Sequence, residues 1–177
     1  MSNFQGAQFP AYVLELLASL RSSSYHVDQM VDFPAEDLFL EYKSYLNFDP
    51  RKICDDFVRY TVAFLNGSGG VLIGGVNENT HERTDSICLS GMPLPPGQKD
   101  LLKNKMFLLL GEISPVRLVL DRDILVEFVP LSPNQTPADS DSDDEYHSLF
   151  LFSLRNGVTG RPTQTSQLLC LPSQHHL

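Results

Sequence analysis

Apolar residues recur along this chain at two different spacings, and the change from one to the other marks its elements. Behind Pro10, a residue suited to the first helical position, Tyr12, Val13, Leu16, Leu17 and Leu20 fall three and four apart and predict a short helix ending at the serines 22–24. A helix that short holds only when docked, so its stripe is read as core packing. Leu38 to Tyr42, between Pro34 and Asp49-Pro50, predicts a strand. Asp49-Pro50 then signals a helix start, with a side-chain acceptor at the cap and a fixed φ in the first turn. That helix runs over about 51–65 with Ile53, Phe57, Tyr60, Thr61 and Phe64 on one face, and the glycines at 67, 69 and 70 end it. The near-continuous apolar run from Val71 to Val76 predicts a buried strand.

Pro93, Pro95 and Pro96 predict a loop over 77–97, followed by a helix over 99–110 that Gly111 and Pro115 cut off. Val116 to Leu120 and Ile124 to Val129 read as strands joined by a tight turn at 121–123. Leu149 to Arg155 reads as another strand, and 164–169 as a short helix. The order predicts an α+β fold, a single lobe whose mixed sheet is packed by helices. The chain divides into a helical arm over 1–35, a core domain over 36–172 with an acidic loop insert at 131–146, and a tail at 173–177.

Composition narrows the class. At 177 residues, 42% hydrophobic and 20% charged, the chain is globular and large enough to bury roughly 70% of its unfolded surface without a staple. Cys54, Cys88 and Cys170 are widely spaced with no CxxC, so a reducing compartment is expected and a zinc site is not. No apolar stretch reaches membrane-spanning length and no leader pattern opens the chain, which reads as soluble and cytoplasmic with no membrane partner. Net charge is −9, and Asp139, Asp141, Asp143, Asp144 and Glu145 carry more than half of that excess. Without a basic surplus, nucleic acid, if this chain handles it, would have to be held by a local patch or by a partner's charge.

The densest polar constellation lies around the first predicted strand: Glu36, Asp37, Glu41 and Lys43. Glu41 and Lys43, two apart, share a strand face, whereas Glu36, five before Glu41, joins it only if the chain bends before Leu38. If the strands pair, the second brings Asn77 and Glu78 beside the first. Carboxylates plus a lysine suit metal-assisted phosphodiester cleavage, with hard oxygens for Mg²⁺ or Mn²⁺ and an ammonium to offset phosphate charge. The plainer reading is a surface ion pair between Glu41 and Lys43. The glycines at 67–75 run helix-loop-strand, the reverse of a phosphate-cradling loop, so they read as a helix cap and a close strand approach. Cys54 reads as a small buried side chain, and the five histidines show no metal-ligand spacing. Ser140 and Ser142 lie among acids, where a kinase site and a solubilising insert are both readings. Arg155-Asn-Gly-Val-Thr159-Gly-Arg161-Pro is either a phosphate-contacting turn or an ordinary helix-cap loop.

Glu36-x4-Glu41-Tyr42-Lys43, then Val62-Ala-Phe-Leu-Asn66-x-x-Gly69-Gly70-Val-Leu-Ile-Gly74-x-Val76, then Leu154-Arg155-Asn-Gly-x-Thr159-x-Arg161-Pro162, resembles the core domain of the Schlafen family, of the AlbA_2 type, over about 36–170. The resemblance implies a metal-dependent endoribonuclease acting on transfer RNA or other structured RNA. Two of its three site carboxylates match Glu36 and Glu41. Where the family often has Asp, this chain has Asn77 followed by Glu78. Glu78 as third acid preserves a Mg²⁺ or Mn²⁺ site; Asn77 in that place cripples it. Lys43 would stabilise charge, and Arg155, Thr159 and Arg161 would contact RNA. The family's zinc cluster is missing here. Long family members join two lobes into a horseshoe and this chain has length for one, which implies a homo- or hetero-oligomer with another Schlafen-like chain. Short members are thought to assemble so on piRNA precursors. An inactive lobe that binds RNA or scaffolds an active partner is the alternative, and an ATP-binding regulator ranks lower.

Overall fold

Asp49 starts the principal helix as its chemistry dictates: its Oδ1 accepts from the backbone N–H groups of Arg51 and Lys52 at 3.0 and 3.1 Å, and Pro50 occupies the first helical position. In this computed structural model, residues 9–78, 87–113, 118, 123–133 and 146–155 are described. The elements are α1 (Ala11–Ser22), β1 (Gln29–Val31), β2 (Leu40–Lys43), α2 (Pro50–Asn66), β3 (Gly69–Gly74), β4 (Asn77–Glu78), β5 (Ile87–Leu89), β6 (Met92–Pro93), α3 (Gln98–Leu110), β7 (Ile124–Pro130) and β8 (His147–Arg155). The predicted strand over 116–120 and the helix over 164–169 lie essentially outside the described residues.

Five strands form a mixed sheet in the order β2-β3-β8-β6, with β7 also paired to β8. β2 runs parallel to β3, in register Leu40 with Val71 through Lys43 with Gly74; the other pairs are antiparallel. The connection between the parallel strands is α2, as a crossover requires. Both faces of the sheet are covered, so alternate residues of each strand enter different cores. Leu72, Phe150, Phe152 and Leu154 pack with Ile53 and Phe57 of α2 and Leu102 and Met106 of α3. Leu40, Tyr42, Val71, Ile73, Leu149 and Leu151 pack with Val13, Leu16, Leu17 and Leu20 of α1. β3, covered on both sides, is buried along its whole length, which is why its sequence reads as unbroken apolar residues. The fold is α+β with a mixed sheet, and the α1 stripe is core.

Gly75 turns the chain out of this sheet. Its φ is +88°, and a Cβ there would lie 2.9 Å from the backbone carbon of Gly91, whose N–H donates to the Gly75 carbonyl. Beyond it, β4 joins a three-stranded sheet in the order β1-β5-β4. The segment 77–97, expected to be a loop, therefore carries β4, β5 and β6. Each is only two or three residues long, too short for a periodicity. Their pairing is set by distant partners, β5 by β1 and β6 by β8.

Candidate functional site

Among the described residues β2 is the end strand of its sheet, and the candidate residues gather on it. Leu40 and Tyr42 point into the α1 core, so Glu41 and Lys43 project from the opposite face toward α2. Lys43 donates to Glu41 Oε1, and the Tyr60 hydroxyl donates to the same oxygen at 2.6 Å. Partial burial opposes the Lys43 charge, but its bonds to Glu41 and Tyr60 outweigh that and hold its pKa above the ordinary lysine value. Burial and the hydrogen bond to Glu41 push the Tyr60 phenol up. The Lys43 ammonium also lies 5.4 Å from the centre of the Tyr60 ring. The ion pair of the plainer sequence reading is therefore present, but it belongs to a cluster anchored on α2.

Glu36 reaches the same strand by the bend that its spacing required. Asp37 makes the bend: Oδ1 accepts from the N–H groups of Phe39 and Leu40 at 2.8 and 3.0 Å, and its own N–H donates to the Leu40 carbonyl. Glu36 Oε1 then accepts from the Tyr42 N–H at 2.7 Å, one residue beyond Glu41. The outer backbone groups of Leu40 and Tyr42 are thus met locally, by side chains except at the Leu40 carbonyl, because Lys43 Nζ also donates to the Tyr42 carbonyl at 2.9 Å. The bend is tied to α1, where the Tyr12 hydroxyl donates to Asp37 Oδ2. Slight burial raises the Asp37 pKa, but these donors outweigh it and leave the carboxyl below its ordinary value.

The pairing of the two strands does not by itself deliver Asn77 and Glu78, because β3 ends at Gly74 and these residues form β4, which pairs with β5 in the other sheet and only approaches β2. The Glu78 side chain lies outside what is described, as do the Arg155 side chain, Thr159 and Arg161; Arg155 itself is placed at the end of β8 opposite Gly69. Among the described residues, no three carboxylate, histidine or cysteine side chains converge on a point. No helix among them is long and apolar enough to cross a membrane. Cys54 is buried, and burial raises its thiol pKa, against the opposing pull of the Lys105 charge.

Three residues of the cluster were not singled out by the sequence. Asp56 is 7% exposed, accepts from the Tyr45 hydroxyl at 3.1 Å and from Arg59 Nη2 at 2.6 Å, and so fixes the turn of α2 that carries Tyr60. The Asp56/Arg59 spacing of three along a helix is a usable signal for that pair. Nothing in the sequence alone aligns Tyr60 with Glu41. Residues 36–130 match the family model described as Schlafen, AlbA_2, a span that holds Glu36, Glu41, Lys43 and Glu78. No curated protein matches the chain.

Proposed function

The chain belongs to the Schlafen family through its AlbA_2-type domain, and on that footing we propose that it is a subunit of a metal-dependent endoribonuclease acting on structured RNA, such as tRNA-like molecules or piRNA precursors. The observation that carries this reading is the hydrogen bond from the Tyr42 N–H to Glu36, which brings a second carboxylate to the strand edge that holds Glu41 and Lys43. Carboxylate oxygens are the donor class that a hard divalent cation prefers. All described hydrogen bonds to Glu36 and Glu41 go to Oε1, so Oε2 of each would serve as a ligand oxygen, and Glu78 of β4 would be the third acid. Mg²⁺ or Mn²⁺ bound there would supply an activated water and a Lewis acid for the phosphate. Glu36 and Glu41 would hold it, each oriented by its bond to the protein. Lys43 would offset negative charge developing on the phosphate, and Arg155, Thr159 and Arg161 would grip the strand.

A net charge of −9 opposes RNA binding by a lone lobe, so the assembly includes another Schlafen-like chain, identical or related. One observation favours a second reading. Glu36 and Glu41 each have a structural partner, as side chains of a non-catalytic RNA-binding or scaffolding lobe would. Cleavage of a labelled structured RNA in Mn²⁺, in Mg²⁺ and in EDTA, alongside solution mass, separates the two. Cutting that requires metal supports the nuclease, and a chain that associates with an active relative while cutting nothing itself supports the scaffold.

A further inference from the structure

Arg59 stands on the exposed side of α2 beside the Glu41 cluster, and its head group is held from two directions. Nη2 donates to Asp56 Oδ1, and the guanidinium carbon lies 5.0 Å from the centre of the Tyr60 ring. Its anchor is fixed in turn, because Asp56 is buried and bonded to the Tyr45 hydroxyl. Yet the Arg59 side chain remains 57% exposed. An exposed partner repays little of the cost of burying a carboxylate, so stability alone is a poor account of this clamp. With Lys43 on the same ring, two cations attend Tyr60, each paired with one carboxylate, Lys43 with Glu41 and Arg59 with Asp56. The planar guanidinium offers several donors beyond the one Asp56 uses, in a fork that matches a phosphate.

We propose that Arg59, clamped by Asp56 and Tyr60, is a phosphate contact for the RNA strand bound at the Glu41 site. The inference rests on the reading of that site as RNA-cleaving, and it names the substrate contact on the helix side. Tyr60 links the two parts as a positioning residue, holding Glu41 with its hydroxyl and Arg59 with its ring. Pre-organisation by the clamp reduces the side-chain freedom lost on binding.

The test measures affinity for a fluorescein-labelled RNA hairpin against KCl concentration, in EDTA to suppress cleavage, using the protein with any chain that co-purifies. Arg59→Gln keeps a donor for Asp56 but removes the charge; it should weaken binding by at least about tenfold. It should also flatten the plot of log affinity against log salt by about 0.7 to 0.9, the value of one phosphate contact. Arg59→Lys should keep the slope and recover part of the affinity. An unchanged slope in Arg59→Gln, whatever its melting temperature, overturns the proposal. Metal-dependent cleavage that needs Glu41 together with an unchanged slope removes the Arg59 contact and leaves the nuclease reading. A flattened slope with cleavage indifferent to Glu41 does the reverse. A wild-type protein that binds no RNA overturns both.

Discussion

Gly74 ends β3 opposite Lys43, and the ring of Tyr45 lies across it. A Cβ at position 74 would sit 2.5 and 2.8 Å from two Tyr45 ring carbons and 3.2 Å from the Phe150 Cβ. Tyr45 and Phe150 are both buried, so the ring must shift within a packed core, at about 1 to 3 kcal/mol. The shift also pulls the hydroxyl from Asp56, and a hydrogen bond to a charged group is worth about 1.5 to 3 kcal/mol. Removing a glycine from a strand returns about 0.5 to 1 kcal/mol. Gly74→Ala should therefore lose about 1.5 to 5.5 kcal/mol, read as the shift in a urea unfolding midpoint. In a chain of this length that is a fall in Tm of roughly 3 to 22 °C. Tyr45→Val removes the obstructing ring, and in that background the same Gly74→Ala change should cost less than about 1 kcal/mol, because the two residues share one contact. An equal cost in both backgrounds, or a Gly74→Ala protein as stable as wild type, would refute the close-approach argument.

Other expectations follow from single groups. Asp49→Ala strips the cap from α2 and should cost about 1 kcal/mol, again by urea denaturation. Asp37 has a pKa lowered in the folded state, so its bonds to Tyr12, Phe39 and Leu40 stabilise the protein above its unfolded value of 3.8, and that stability is lost as pH falls through the lower folded value. Acid unfolding of Asp37→Asn should thus be shallower than that of wild type below about pH 4, and parallel curves would contradict the assignment.

Legibility in the sequence tracked how local each determinant is. Asp49-Pro50 and the glycines after Asn66 bound α2 within two residues, because capping is a property of neighbours in sequence. β3 was legible because burial on both faces leaves a continuous apolar run. β1, β4, β5 and β6 were not, since three residues or fewer carry no period and their partners lie far along the chain. At the candidate site, Glu36 and Glu41 were visible as a motif, and their odd spacing made any meeting of the two conditional on a bend before Leu38. Asp37, two residues before Phe39, was the turn-former that supplies it. Tyr60, Asp56 and Arg59 stayed hidden because their meaning depends on which turn of α2 faces β2, a matter of packing across 19 positions between Glu41 and Tyr60.

The central claim is that Glu41 belongs to a working metal-dependent site, and cleavage of a labelled RNA hairpin by wild type and Glu41→Gln in Mn²⁺ tests it most directly. The substitution keeps the shape of the side chain and a hydrogen-bonding oxygen while removing the charge that a cation needs. The account predicts a wild-type rate abolished by EDTA and lowered at least about 100-fold in Glu41→Gln, the upper loss seen when even an outer partner of a metal ligand is removed. Equal cleavage by the two proteins would contradict it.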